Sequence, residues 1–308
     1  TSESRTVGWR AFSSRDLVRV EGRRTPDEAI LAFRGDGVRA VVVAPPGFSR
    51  DLERDRGELQ VLVDASDGSA GSQTLAKLES ALQASMRRPR PLNGRVDVQV
   101  RTLFNPESKS ALFLVPGLAA YVVAIICVLL TALTVAREWE LGSMEQLFAT
   151  PVGRFEIVVG KLLPYLGLGL AAVTLVLSAG AVVFGVPFRG SLLAVALGSL
   201  LFVLGMLAQG LLISIVTKNQ MVATQAAALS SMLPSMLLSG FLFPIENMPG
   251  VLQLITLGVP ARHYIEILRG ALLRGNSLWD LLEPIAALGA FSVALILIST
   301  VRFQRRLA

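Results

Sequence analysis

Few side chains in this sequence could carry catalytic chemistry. His263 is the only histidine, and it lies in one compact acid–base group with Arg262, Tyr264 and Glu266. Side chains of this kind more often place a polar end at a membrane interface than catalyse a reaction, and we favour that interpretation. The acids between 246 and 283 lack the spacing of metal ligands, and a single cysteine, Cys127, allows neither an internal disulfide nor a multi-thiolate metal site. The residues therefore predict neither an enzyme nor a metalloprotein.

A second group of polar residues lies between 136 and 156, in a short amphipathic segment that is dense in turn signals. Ser143, with Gln146 three residues later, has the spacing of a capping box, and Gly142 permits a bend just before it. A Thr-Pro pair would end the helix that this box opens. From these residues alone, a short helix on the membrane surface and a solvated loop that only anchors its neighbours are about equally favoured.

A membrane domain must position both groups. A mean hydropathy of +0.58 with 17% charged residues lies outside the usual range of a soluble chain. More than half of the charged residues fall in 1–110, and five charge-free runs follow, at 110–136, 162–188, 190–217, 219–245 and 284–301. About 20 apolar residues suffice to cross the hydrocarbon layer. We therefore predict an α-helical integral membrane protein with five transmembrane helices in this chain.

Two features of these runs predict the topology. Pro244 and Pro249 interrupt any helix that continues from the fourth run, and 244–273 mixes apolar residues with Arg and His, so we expect an outward re-entrant segment there. Basic residues near membrane ends favour the cytoplasm, which places the C-terminal arginines and the 136–156 loop inside. Three arginines in 262–274 would then lie outside, against that trend.

Residues 1–109 form a separate region, and 110–308 form the membrane domain. Strand-like runs at 38–44, 58–63 and 96–103 alternate with helix-like runs at 25–33 and 72–86, which predicts a small extracytoplasmic α/β domain. Exporting such a domain requires a preceding helix or signal, so we expect a further helix upstream of Thr1 and six in the full protein. The scattered arginines show no basic stripe interleaved with aromatic residues, which argues against nucleic acid as a partner.

Polar residues inside the charge-free runs are candidates for a transport pathway. Gln209 and Gln225 are the best of these, whereas the small hydroxyl residues, such as Ser235, more simply allow helices to approach closely. No run contains an ionisable group of the kind that a proton- or ion-coupled carrier keeps in the membrane. An apolar or amphipathic cargo fits these runs better.

The 136–156 segment and its continuation resemble a known family, the type-2 ATP-binding-cassette (ABC-2) exporter permeases. The matching residues are Arg137, Glu138, Gly142, Met144, Glu145, Gln146, Leu147, Thr150, Pro151, Val152, Gly160, Lys161, Pro164 and Tyr165. The resemblance continues through 239–244 and 260–264, and 41–50 looks like the outer domain of the multidrug-efflux subgroup. It implies two permeases side by side, with an ATPase docked under each.

The resemblance also implies the roles of particular residues. It identifies a coupling helix at about 138–150, whose coupling residues are Arg137, Glu138, Glu140, Gly142, Met144, Glu145, Gln146, Leu147, Thr150 and Pro151. Independently of the resemblance, we predict that Gln209, Gln225, Ser235, Phe241 and Phe243 lie along the substrate pathway. Because the chain lacks a Gly-x-x-x-x-Gly-Lys-Ser/Thr phosphate loop, ATP and Mg are expected on a separate ATPase subunit and no cofactor on this chain.

The functional expectation is export of hydrophobic or amphipathic small molecules, drug-like or lipid-like, across the cytoplasmic (inner) membrane. Its partners would be the ATPase, a second permease copy or a paralogue, the lipid bilayer and a periplasmic adaptor. Two alternatives stay open at this stage. One is a lipid-linked glycan exporter of the same family, and the other is a membrane receptor with an extracytoplasmic ligand-binding domain.

Overall fold

The computed structural model describes residues 40–43, 57–64, 96–103, 110–148 and 151–303. The chain divides into two compact units, Thr1–Ser110 and Ala111–Ala308. Three strands are described in the first unit: β1 Ala40–Val43, β2 Gly57–Asp64 and β3 Val96–Leu103. β1 pairs antiparallel with β2, and β2 pairs parallel with β3, in one sheet of order β1-β2-β3.

The sheet register follows from these pairs, with Ala40 opposite Val63 and Gly57 opposite Val96. A parallel pair needs a crossover connection between its strands, and 65–95 is the connection between β2 and β3. The helices predicted at 25–33 and 72–86 lie outside the described residues. The α/β assignment of this unit and its outward position therefore stay predictions.

The second unit consists of helices. In chain order they are α1 Ser110–Glu140, α2 Ser143–Phe148, α3 Arg154–Phe184, α4 Leu192–Thr217, α5 Gln220–Leu237, α6 Gly250–Thr256, α7 Pro260–Arg269 and α8 Leu282–Arg302. Single 3₁₀ turns occur at Ile245–Asn247 and Trp279–Leu281, and a π-helical turn at Gly270–Arg274. Gly185 and Lys218, which follow α3 and α4, adopt the left-handed conformation that ends a helix, and only two residues separate α4 from α5.

Within the described residues, four helices are long and apolar enough to cross a membrane: Leu112–Glu140, Arg154–Phe184, Leu192–Thr217 and Trp279–Arg302. The predicted count of five is not confirmed. α5 covers the charge-free run 219–245 with only 18 residues, about 27 Å of helix. It also contains two glutamines and several hydroxyl residues, because a run without charges is not the same as an apolar run.

The segment predicted to be re-entrant, 244–273, contains only short helices. α6 has seven residues and α7 has ten, and neither is long enough to cross a bilayer. α7 packs among the longer helices, since its Ala261, Tyr264 and Leu268 side chains are completely buried. The Tyr264 ring stacks on Phe202 of α4 with centroids 4.2 Å apart, and its hydroxyl lies 2.9 Å from Oγ of Ser199.

α4 is the central helix of this unit. Hydrogen bonds between side chains and backbone join it to its neighbours: the Thr131 hydroxyl of α1 donates to the Leu207 carbonyl over 2.9 Å, and the Ser292 hydroxyl of α8 donates to the Leu201 carbonyl over 2.6 Å. Of the glycines in α4, Gly210 lies closest to a neighbouring helix, because an added Cβ would lie 2.2 Å from Thr131 Oγ1. Small residues and hydroxyls hold helices together in this way where lipid supplies no hydrophobic driving force.

Candidate functional site

The candidate site begins where α1 extends beyond the membrane. α1 has 31 residues, about 46 Å of helix, against a hydrocarbon layer of about 30 Å. The helix ends after Glu140 because Gly142 turns the chain with φ of 71°. The Ser143 hydroxyl, which the capping-box pattern assigned to α2, donates to the carbonyl of Glu138 over 3.0 Å and so caps α1. The predicted helix at about 138–150 is therefore two helices, the end of α1 and α2 Ser143–Phe148.

Glu138 joins α1 to α3. Its carboxylate accepts a hydrogen bond from the ammonium group of Lys161, and both side chains are partly buried, 31% and 23% exposed. Lys161 lies two turns into α3, whose start is fixed by Glu156, because the Glu156 carboxylate accepts the Gly153 N–H over 2.8 Å. The two helices that flank α2 are thus linked by one ion pair close to it.

Glu140 and Trp139 join α1 to the α4–α5 turn and to the end of α8. The Glu140 carboxylate accepts the backbone N–H of Gln220 over 2.7 Å, at the N-terminus of α5, where a negative charge is favoured by the helix dipole. The Lys218 ammonium lies 4.7 Å from the centroid of the Trp139 ring, a cation–π contact. The Phe303 ring, just after α8, lies 6.1 Å from the same ring.

Three consecutive residues of α1 therefore contact three other parts of the helix bundle. Successive helical residues point about 100° apart, so 138, 139 and 140 face different neighbours. A displacement of this end of α1 would be passed to α3, to the α4–α5 turn and to the end of α8.

α2 is anchored to this end of the bundle by Met144. That side chain is 1% exposed and belongs to the apolar core, and Leu147 packs against the same core. Gln146 is exposed on the other side of α2, and Leu141, just before α2, is 71% exposed. α2 thus presents one face to the bundle and another away from it.

The remaining predicted coupling residues fall into three groups. Arg137 and Pro151 are exposed, and Gly142 forms the turn. Glu145 belongs to α2, but its side chain lies outside the described part of the chain, as does all of Thr150. The site residues that sequence reasoning omitted are Trp139, Lys161, Lys218, Gln220 and Phe303. The one local sequence signal for these omitted residues was Trp139 itself, a tryptophan between two glutamates in a charged segment.

The predicted pathway residues are not gathered into one site. The Gln209 amide donates to Ser230 Oγ of α5 over 3.2 Å, and Gln225 lies on the exposed face of α5. Phe243 is 57% exposed. The two others are buried near the end of α5, Ser235 in the helix and Phe241 just beyond it. The substrate-pathway role of all five residues stays a prediction.

The acid–base group around His263 is also dispersed. The His263 Nε2 lies 2.9 Å from the Leu257 carbonyl oxygen, and the Arg262 guanidinium bonds the Thr256 hydroxyl. Tyr264 points instead to Ser199, as described above. These contacts support a structural role for the group in the α6–α7 corner.

Four apolar helices of spanning length among the described residues are those of a multi-pass membrane protein, and the comparisons identify its class as a transport permease. A family model described as "ABC-2 family transporter protein" matches residues 18–301. The chain belongs to this ABC-2 family, and it lies in the inner membrane as a multi-pass permease.

Named relatives agree with this assignment. The chain is 37% identical to "Probable multidrug ABC transporter permease YbhS" of Escherichia coli over 91% of its own length and 76% of the relative's. It is 31% identical to the permease YbhR of the same organism, over 88% and 77%. Identity to "Inner membrane transport permease YhhJ" is 27%, over 91% and 77%. No solved structure matches the chain.

Proposed function

We propose that this permease exports hydrophobic or amphipathic molecules and that α2 is the helix on which a separate ATP-binding-cassette ATPase docks. The observation that carries the coupling role is the burial of Met144 in a short helix whose Ser143 and Gln146 side chains are exposed. ATP and Mg would bind the partner ATPase, whose hydrolysis this chain converts into movement. A periplasmic adaptor for the first unit remains a further proposal.

The contacts of the α1 end supply a route for that movement. A push on α2 is transmitted through Met144 into the core, because close-packed interiors yield little to compression. The Glu138–Lys161 ion pair holds the two helices that flank α2 at a fixed separation. Trp139 and Glu140 carry the displacement to the α4–α5 turn. α2 and the helices around it would therefore move together.

The exposed face of α5 supports an apolar cargo. Its exposed side chains include Met221, Gln225, Leu229 and Met232, spaced by three or four residues and therefore on one face. Methionine thioethers adapt to ligands of different shapes, and one amide offers a hydrogen bond without a charge. We propose that this face lines a path whose opposite wall is a second permease, either another copy of this chain or a paralogue.

The alternatives receive less support. A lipid-linked glycan would require many polar contacts, whereas this α5 face offers one amide among apolar side chains. Two named relatives are described as multidrug permeases. A receptor would not require a short helix that a buried side chain, Met144, holds beside the end of α1. Both alternatives are therefore less favoured than export of hydrophobic molecules.

A matched pair of substitutions tests the docking role. Gln146→Arg places a cation on the exposed face of α2, and Gln225→Arg makes the same change on α5. The permease is co-expressed with its ATPase, purified in detergent and assayed for ATPase stoichiometry by size-exclusion chromatography. We expect Gln146→Arg to lose the ATPase and Gln225→Arg to keep it. Equal retention of the ATPase by two monodisperse variants would overturn docking through α2.

A further inference from the structure

The turn that follows α5 lies at the end of the bundle opposite α2, because it packs on the first turns of α1. Gly240 adopts φ of 79°, a left-handed conformation that glycine adopts without strain. The Ser239 hydroxyl donates to the Ser235 carbonyl and accepts the Phe241 N–H over 3.3 Å. Ser239 therefore ties the turn at 238–241 to the last turn of α5.

Phe241 seats this turn on α1. Its ring stacks on Tyr121 with centroids 6.1 Å apart and an interplanar angle of 29°. It also covers Gly117, where an added Cβ would lie 2.1 Å from Phe241 Cδ2. Gly117 and Tyr121 are one helical turn apart, so the ring lies along one face of α1.

Arg269 of α7 binds both parts of this contact. Its guanidinium carbon lies 4.3 Å from the centroid of the Phe113 ring, one turn before Gly117 on α1. Its Nη2 donates to the Gly240 carbonyl over 3.3 Å, just past the C-terminus of α5, where the helix dipole favours a cation. The side chain is partly buried, which strengthens a cation–π contact by excluding water. One arginine thus joins α1, α7 and the turn after α5.

We propose that Arg269 is a positioning residue for transport: it holds the turn after α5 closed on α1, and cargo leaves only after this contact opens. We call the set Phe113, Gly117, Tyr121, Gly240, Phe241 and Arg269 the Arg269 latch. α1 reaches the site around α2 at its other end, so the helix that receives the push also bears the latch. The inference uses the permease function and does not require docking through α2.

The test measures how often the latch opens. A Cys127→Ala, Ser235→Cys permease in lipid nanodiscs carries one thiol one helical turn before Ser239, at a position that is 2% exposed. The rate of labelling by a polar maleimide reports opening. Arg269→Gln is expected to raise that rate at least tenfold. Arg262→Gln, on the same helix but bonded to the Thr256 hydroxyl in the α6–α7 corner, is expected to change it less than twofold.

A second, more conservative variant keeps the test decisive if Arg269→Gln does not fold. Phe113→Leu keeps an apolar side chain but removes the ring beneath the guanidinium, and a rise of about three- to fivefold is expected. Labelling of Arg269→Gln at the Arg262→Gln rate, in monodisperse protein, would overturn the latch. If Arg269→Gln does not fold, an unchanged rate in Phe113→Leu overturns it equally.

A second readout separates this proposal from the role of α2. In vesicles with the ATPase bound, Arg269→Gln is expected to lower dye export per ATP hydrolysed at least threefold while the ATPase still copurifies. Failed docking through α2 would show as altered copurification instead. Export per ATP at the wild-type value would contradict the latch and leave the docking proposal intact.

Discussion

The carboxylate of Glu138 near the end of α1 and the ammonium group of Lys161 in α3 form an ion pair that closes the loop bearing α2. Both charges are partly shielded from water, so their attraction is screened less than that of an exposed pair. The pair fixes the spacing of the two helix ends between which α2 lies. In the proposed coupling role, α2 moves together with the loop that this pair closes.

Replacing Glu138 by Gln tests this relationship. The amide keeps the size of the side chain and removes its charge, so the ion pair is lost while packing is preserved. A pair of this kind contributes about 1 kcal/mol, and we expect dye export in vesicles to fall about three- to tenfold with unchanged ATPase copurification. Glu283→Gln, at an exposed position in the first turn of α8, is the matched control.

Reversing both charges tests the same ion pair more specifically. Glu138→Lys combined with Lys161→Glu restores an ion pair of opposite polarity and should recover part of the export that either single variant loses. Wild-type export by Glu138→Gln, or a double variant worse than both singles, would show that the pair does not hold the loop.

Met144→Ala tests the anchoring of α2. Removing a buried methionine side chain costs about 2–5 kcal/mol where the cavity cannot collapse, and that loss falls on the contact between α2 and the bundle. We expect faster proteolysis within 141–153 and weaker ATPase binding. Leu141→Ala removes a side chain that is 71% exposed and should change neither. Equal cleavage of the two variants would contradict anchoring by Met144.

The positions of the long helices could be predicted because exposing a long apolar run to water is unfavourable, so such a run indicates a membrane-spanning helix. The runs at 110–136, 162–188, 190–217 and 284–301 correspond to α1, α3, α4 and α8. The run at 219–245 is not among the four spanning helices of the described residues, since absence of charge was the only criterion used for it, and α5 within it has 18 residues that include two glutamines and three serines. Hydropathy, and not charge alone, determines which helix can span.

Only part of the candidate site could be predicted from the sequence, because several of its contacts join residues that are far apart in the chain. The coupling residues of α2 were predicted from the family resemblance, whereas Lys218, Gln220 and Phe303 contact α1 across long stretches of chain that no periodicity encodes. Ser143 illustrates a local ambiguity, because both the start of α2 and the end of α1 have unpaired backbone groups that its hydroxyl could satisfy. Only the course of α1 beyond the membrane decides between them.

Gly210→Ala tests the close contact between α4 and α1. The new Cβ would lie 2.2 Å from both Thr131 Oγ1 and the Val128 carbonyl oxygen, so α4 must move away from α1. We expect a loss of about 1–3 kcal/mol in unfolding free energy, measured as a lower thermal midpoint in detergent. Gly167→Ala, in α3 with no atom within 4 Å of the new Cβ, should be neutral or stabilising by about 0.4–1 kcal/mol. A stable Gly210→Ala protein would contradict the tight contact.

Gln225 and Gln209 separate a cargo role from a packing role. Gln225 is exposed on α5, so Gln225→Ala should leave the thermal midpoint unchanged and shift the KM for export of hydrogen-bonding dyes several-fold, because the cargo loses one amide partner. Gln209 donates to Ser230 on the neighbouring helix, so Gln209→Ala should lower stability by about 0.6 kcal/mol or somewhat more. Its KM should stay close to wild type. Export kinetics for a hydrogen-bonding and a purely apolar dye, measured beside thermal unfolding of both variants, distinguish these effects. A reversed pattern, with the KM shift in Gln209→Ala, would move the cargo path from the exposed face of α5 to the α4–α5 contact.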